Sequence, residues 1–182
     1  KIGSGTRCDE AEAQECLEVM SRETQRLTRL IEQLLVFSRI ENKKWRVRFI
    51  FASAQELVSE SIEVLAGNLG KQPEELGIEI VAIQETPKVP VDRFAIKEAL
   101  INLLHNAIKY SPNEDRKVRV VITSRRRFVE LAVEDNGMGV PRRDRRRIFV
   151  KFERGSNAEK GRIEGSGIGL TLANEIAKGH GG

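Results

Sequence analysis

Aromatic residues are scarce in this chain: one tryptophan, one tyrosine and seven phenylalanines among 182 residues. With a single Trp, a single Tyr and no zinc-ligand spacing, base stacking and zinc-based readout have little to build on and no nucleic-acid partner is expected. Cysteine is nearly absent. Cys8 and Cys16 lie in one polar N-terminal segment and form no CxxC pair, which excludes a disulfide framework and fits a reduced, cytosolic setting. No apolar run approaches the roughly 20 residues that span a bilayer, and no signal peptide is recognisable. What remains is the composition of a globular protein, 40% hydrophobic and 32% charged, long enough for one well-cored domain and an appendage. The net charge of +4 is unevenly spread: Arg125, Arg126 and Arg127, then Arg142, Arg143, Arg145, Arg146 and Arg147, fall in the second half. A solvated face and a hairpin tip would account for them; an anionic partner is the functional alternative.

Residues 1–8 are rich in Gly and Ser and predict a loose start. From Asp9 to about Asn42 there is no Gly or Pro, and Leu17, Met20, Thr24, Leu27, Ile31 and Leu34 recur by threes and fours, with Leu30, Leu35 and Phe37 widening the stripe. That pattern predicts one long helix whose apolar face needs a partner helix. After Trp45 the texture becomes α/β. Trp45–Phe51 reads as a strand, Ser53-Ala54-Gln55-Glu56 as a capping box opening a helix to about Leu69, and Gly77–Ile83 as a strand, with Val89 in a short one. Asp92 is placed to cap a helix ending near Tyr110. Lys117–Thr123 and Phe128–Glu134 alternate as a hairpin, Pro141 suits the first residue of a short helix, residues 151–165 predict a mobile loop, and Thr171–Lys178 a final helix.

The helix ending at Tyr110 carries the strongest chemical signal. Leu100, Leu103, Leu104, Ala107 and Ile108 seat it on a core. Asn102, Asn106 and Lys109 fall at i, i+4 and i+7 on another face, where packing has no use for aligned amides. An Asn oxygen can ligate Mg²⁺ and a Lys can meet phosphate. In the second hairpin strand, Val129, Leu131 and Val133 share a face that Asp135 continues, so its carboxylate should sit at the mouth of the apolar interior. The turn Asn136-Gly137-Met138-Gly139 follows, open enough for a ligand to approach. Such a carboxylate suits an exocyclic amine like that of adenine, although a capping Asp would look the same. A third segment, Gly165-Ser166-Gly167-Ile168-Gly169-Leu170, leads into a helix and offers amides to phosphate. It is not the dinucleotide fingerprint GxGxxG.

In this order and spacing, residues 92–182 resemble the catalytic ATP-binding domain of bacterial sensor histidine kinases, within the wider superfamily that includes gyrase, Hsp90 and MutL. Asn102–Tyr110 looks like the N box, Asp135–Gly139 like the G1 box, Ile148–Arg154 like the F box and Gly165–Leu170 like the G2 box. Residues 10–42 are similar to the second helix of the dimerisation and phosphotransfer hairpin. The resemblance implies an α+β fold: a two-layer α/β sandwich, with a mixed sheet and helices on one face, preceded by one long helix. It implies two parts, residues 1–45 as half of the hairpin and residues 46–182 as the ATP-binding domain. It further implies ATP and Mg²⁺ as ligands, with Asn106 and the nearby Asn102 on the metal, Lys109 on phosphate and Tyr110 lining the pocket. Asp135 would accept from adenine, with Gly137 and Gly139 shaping the pocket. Arg154 and the basic loop to Arg162 would cover the phosphates, Gly165, Gly167, Gly169 and Leu170 would end that lid, and Phe149 and Phe152 would anchor it hydrophobically. Partners implied are a second kinase chain through the N-terminal helix and the receiver domain of a response regulator. The implied location is cytoplasmic, in a parent anchored in the bacterial inner membrane.

Hydrolysing relatives carry a Glu one turn before the metal-binding Asn, where this chain has Asn102, a poor general base. The resemblance thus implies that ATP is held and its γ-phosphoryl offered to a histidine. The family's acceptor histidine, followed by an acidic residue and soon a proline, has no counterpart: neither His105 nor His180 has that context. The chain reads as a fragment lacking the first hairpin helix and the final strands. A superfamily ATPase and a non-catalytic nucleotide-binding interaction module are the alternatives. Incubation with labelled ATP should leave no stable phosphohistidine on this chain; an acid-labile, base-stable label on it would refute the expectation.

Overall fold

The computed structural model describes residues 10–41, 48–126, 128–161 and 165–182. The loose segment read over residues 1–8, Cys8, the strand start at Trp45, Arg127 and Arg162 lie outside these. Helix α1 spans Glu10–Glu41, close to the predicted helix, and Leu17, Met20, Leu27, Ile31, Leu34 and Leu35 of its apolar stripe are exposed. Strand β1 (Ile50–Ala52) leads into α2 (Ala54–Asn68), where the Ser53 hydroxyl accepts from the Glu56 amide at 3.5 Å. A 3₁₀ turn at Pro73–Leu76, not anticipated, precedes β2 (Ile78–Ala82). Strand β3 (Val89–Val91), α3 (Arg93–Tyr110), β4 (Val118–Arg125) and β5 (Phe128–Asp135) follow, and α4 (Ser156–Lys160) and α5 (Gly169–Gly179) complete the order.

Strand β4 is the centre of a three-stranded mixed sheet, parallel to β2 and antiparallel to β5. Strands β1 and β3 form a separate antiparallel ribbon. Val118, Val120 and Ile122 of β4 are buried under Leu57, Val58, Ile62 and Leu65 of α2 and Leu100, Leu104 and Ala107 of α3. Their alternation along β4 is the period-2 pattern of a strand with one buried face. The result is the expected α+β sandwich, with α2 and α3 packed against the sheet. A second apolar cluster joins Ala95 of α3 to Leu172 and Ile176 of α5, with Val36 of α1 packed against it. Helices α2 and α3 are also tied by charge. Glu60 pairs with Lys97 at 3.2 Å and with Arg93, and these bonds, Lys97's first, hold its carboxyl below the usual range. Among the described residues no helix is long and apolar enough to cross a membrane.

Two local expectations need correction. Pro141 does not open a helix: residues 142–146 form turns, and only Arg147–Phe149 closes into a 3₁₀ turn. The Asp144 amide bonds back to the Pro141 carbonyl at 2.9 Å, which completes a turn before helical pairing can begin. The segment expected to be a featureless loop contains α4, whose start is fixed from outside by Asp144.

Asp92 caps α3 as predicted and does more. Its carboxylate accepts from the Ala95 amide at 3.2 Å and the Arg48 amide at 3.1 Å, while its own N–H donates to His180 Nε2 at 3.0 Å. Asp92→Ala should reduce unfolding free energy by about 2 kcal/mol, the upper end for a helix cap, because a second amide loses its acceptor. Urea titration measures this, and an unchanged midpoint would contradict it.

Candidate functional site

Helix α3 reaches the site with one face already committed to the sheet, and its polar residues therefore line the opposite wall. A cavity of about 640 Å³ opens there, bordered on α3 by Asn102, Leu103, His105, Asn106, Lys109 and Tyr110. Asn102 is 7% exposed and its amide nitrogen donates to the Glu98 carbonyl at 2.8 Å. Its Oδ1 lies where a side chain on Gly169 would intrude, 2.7 Å from an ideal Cβ at that position. Asn106 is half-buried on the same wall. The Lys109 ammonium sits 5.1 Å from the Tyr110 ring centroid, a cation–π distance, and 3.0 Å from the Cβ position of Gly165. Burial raises the Tyr110 phenol pKa, with the Arg154 charge acting in the opposite direction.

The β5 end forms a second wall. Val129, Leu131 and Val133 pack on the core, and Asp135 continues their phase onto the cavity. It is exposed there, contrary to the expectation of a sheltered carboxylate, because it lies at the last residue of a strand that is an edge of the three-stranded sheet. Asp135 Oδ1 accepts from the Gly137 amide at 2.8 Å. Gly137 stands behind the cavity wall: a Cβ on it would lie 2.6 Å from the Tyr110 carbonyl oxygen and 2.7 Å from Asp135 Oδ1. Gly139 lines the cavity with φ +64° and open space around it, so its requirement is conformational rather than steric. Asn136 braces the turn, accepting from the Lys117 amide at 2.9 Å and donating to the Asp115 carbonyl at 2.6 Å.

The third wall comes from residues 148–158 and 165–170. Ile148, Glu153, Arg154, Gly165, Gly167, Gly169 and Leu170 line the cavity. Phe152 has φ +62°, a strained value for a residue with a side chain, and its N–H donates to the Gly167 carbonyl at 3.1 Å. A Cβ on Gly167, itself at φ +69°, would approach Phe152 Cα and C to 2.8 Å. The Thr171 hydroxyl donates to the Phe149 carbonyl at 3.0 Å. These contacts correct the expected hydrophobic anchoring. Phe149 and Phe152 are exposed, Phe152 to 67%, because the segment is held by its backbone and the rings are left outside. Arg125 and Arg126 are exposed at the hairpin tip, Arg125 paired with Glu130 at 3.4 Å.

Sequence reasoning missed Asp144. It is 1% exposed, its Oδ2 accepting from the Ser156 amide at 2.9 Å and hydroxyl at 2.6 Å. Those bonds hold its carboxyl below the usual range against the opposing effect of burial, with Arg143 and Arg147 contributing. A lone Asp amid five arginines was the available signal, and it resembled a solvated charge run.

The donor set suits Mg²⁺ only together with a phosphate ligand. Among the described residues no group of three or more His, Cys, Asp or Glu could hold a metal, whereas Mg²⁺ accepts few protein ligands when phosphates and water complete its shell. The Asn106 amide and the Lys109 charge are compatible with that arrangement.

The family described as histidine kinase-, DNA gyrase B-, and HSP90-like ATPase matches residues 91–182. The sensor histidine kinase WalK of Bacillus subtilis is 28% identical over 171 residues, covering 91% of this chain and 27% of WalK. Full-length ShkA, solved in complex with AMPPNP, shares the fold with a TM-score of 0.72 at 22% identity, over 92% of this chain and 34% of ShkA. The kinase ThkA, solved with the response regulator TrrA, aligns at a TM-score of 0.58 and 23% identity over 91% of this chain and 46% of ThkA. The chain spans from 22% to 38% of the length of the first curated relatives it matches.

Gly167→Ala should destabilise the protein more than Gly139→Ala. Both lose a left-handed glycine, worth about 1–2 kcal/mol, but only Gly167 also meets backbone. Thermal melting that ranks them equally would refute the close approach as the cause.

Proposed function

The chain belongs to the histidine kinase-, DNA gyrase B-, and HSP90-like ATPase family, and from that premise we propose that it is the ATP-binding catalytic region of a sensor histidine kinase, with α1 as part of the dimerisation and phosphotransfer hairpin. One observation carries the reading: residues of the N, G1, F and G2 segments, distant in sequence, converge on one cavity. Asp135 would accept from the adenine amino group at one end. Asn106 would hold Mg²⁺ and Lys109 a phosphate at the other, with Arg154 above and the amides of Gly165–Leu170 beside them. When bound, Mg²⁺ would neutralise phosphate charge. Asn102 would stand nearby in the same shell, its amide nitrogen held by the Glu98 carbonyl and its Oδ1 directed toward Gly169.

Asn102 supports transfer over hydrolysis. An amide cannot accept a proton from water as a carboxylate can, so the chain's residues would position and neutralise without activating water. The histidine that receives the phosphoryl would belong to a partner helix. The exposed apolar stripe of α1 supports pairing with such a helix in a homodimer, and the ThkA–TrrA complex supports a response-regulator receiver domain as the next partner. Residues 1–45 and 46–182 would then be the hairpin and ATP-binding parts, within a parent anchored at the inner membrane.

Calorimetry should detect Mg-ATP binding that Asn106→Ala abolishes, with almost no steady-state release of phosphate. Sustained hydrolysis removed by Asn106→Ala would favour a superfamily ATPase, and absence of both binding and thermal stabilisation would favour the interaction module.

A further inference from the structure

We propose that Asp144 is a positioning residue that pins the segment carrying Arg154 over the nucleotide cavity; this rests on the proposed nucleotide-binding reading. Asp144 does not line the cavity, yet it is among the most deeply buried ionisable side chains described, 1% exposed. Burying a carboxylate is costly unless every oxygen is used. Here Oδ2 receives both Ser156 bonds, and Oδ1 faces Arg143 Nε at 3.9 Å and the Arg147 guanidinium at 3.8 Å. The carboxylate is fixed in its own turn by the Asp144 N–H to Pro141 O bond and the Ile148 N–H to Asp144 O bond, at 2.9 and 3.0 Å. It is therefore a rigid post.

What the post holds is specific. Ser156 is the first residue of α4, and the residues between post and pin include strained Phe152 and cavity-lining Arg154 and Gly155. Beyond the pin, Ala158 is buried, its carbonyl accepts from Arg154 at 3.5 Å, and Asn157 reaches the Met138 carbonyl at 3.5 Å. The Phe152–Gly167 contact fixes the base of this strap and Asp144–Ser156 its far side, so Arg154 is held between two anchors. The Arg154 charge is felt by the Tyr110 phenol, and Lys109 and Gly165 lie against the same ring, so Arg154 is placed at the end of the cavity assigned to phosphate and its loss of position should weaken phosphate binding first.

The depressed carboxyl pKa gives the pin a pH sense. A folded-state value below the unfolded one makes the contribution complete above the ordinary carboxylate range, and it is lost as pH falls through the folded value. Throughout neutral pH the post is charged.

The test compares Asp144→Ala and Ser156→Ala with the unaltered chain in two measurements. The first is tryptic cleavage within residues 154–161 without nucleotide. The pin predicts acceleration of about tenfold for Asp144→Ala, the size expected from a lost charge-assisted hydrogen bond, and a smaller one for Ser156→Ala, which keeps its amide. The second is affinity for AMPPNP with Mg²⁺ against affinity for adenosine. Expected is a Kd for AMPPNP raised about tenfold and a Kd for adenosine unchanged. Should Asp144→Ala fail to fold, Ser156→Ala carries both measurements, with the same pattern at smaller size. Equal weakening of both ligands, or cleavage unchanged in both variants, overturns the proposal. If the unaltered chain binds neither ligand, the nucleotide-binding reading fails and this proposal with it, whereas loss confined to the variants leaves that reading standing.

Discussion

Helix α3 applies Leu100, Leu104 and Ala107 to the sheet with one face, and Ala95 to Leu172 and Ile176 of α5 with another. Two apolar contacts on different sides leave the helix no freedom to roll. Its remaining side, the one bearing Asn102, Asn106 and Lys109, is therefore directed by what the other two require. The cap at Asp92 sets the start of the helix, and the Tyr110 carbonyl, pressed by Gly137 and bonded to the Met138 amide, sets its end. Rotation by one residue, about 100° in an α-helix, would carry the amides away from the cavity and bury a charge.

The other walls are referenced to this helix. The G1 turn abuts Tyr110, Gly169 abuts Asn102 and Gly165 abuts Lys109. At Gly137 and Gly169 a side chain would collide with α3, whereas at Gly165 it would only crowd the movable end of Lys109. Gly137 and Gly169 thus act as clearances against one rigid element, while Gly139 serves only through its left-handed backbone and Gly167 combines that backbone with close approach to Phe152. Strain at Phe152 is tolerated because its own N–H is bonded to the Gly167 carbonyl and the following amide, of Glu153, to the Val150 carbonyl, in keeping with strain stored where surrounding structure over-determines it.

The elements with strong periodicity could be read directly from the amino acids. Helix α1 and helix α3 carry long apolar stripes, and the β4–β5 hairpin alternates cleanly, so their limits fall within about two residues of the expected ones. The N, G1 and G2 segments were legible because their chemistry is local: amides in line, a carboxylate before a glycine turn, glycines before a helix. What stayed hidden depends on partners remote in sequence. Nothing near Asp144 announces Ser156, and no local rule states that the Asn102 amide turns back onto its own helix. The exposed rings of Phe149 and Phe152 follow the same logic, since an apolar residue predicts burial unless a backbone contact has already fixed the segment.

The parallel pairing of β2 with β4 bears on how the protein must assemble. Parallel neighbours cannot be joined by a tight turn, and here the connection between them consists of β3 and α3. Closing the sheet therefore encloses the very helix that carries the cavity's polar residues, and the entropy of that long loop closure is recovered only when α3 docks. Pairing of β2 with β4 and docking of α3 therefore favour one another: a sheet closed before the helix packs carries the cost of the long connection with nothing to offset it.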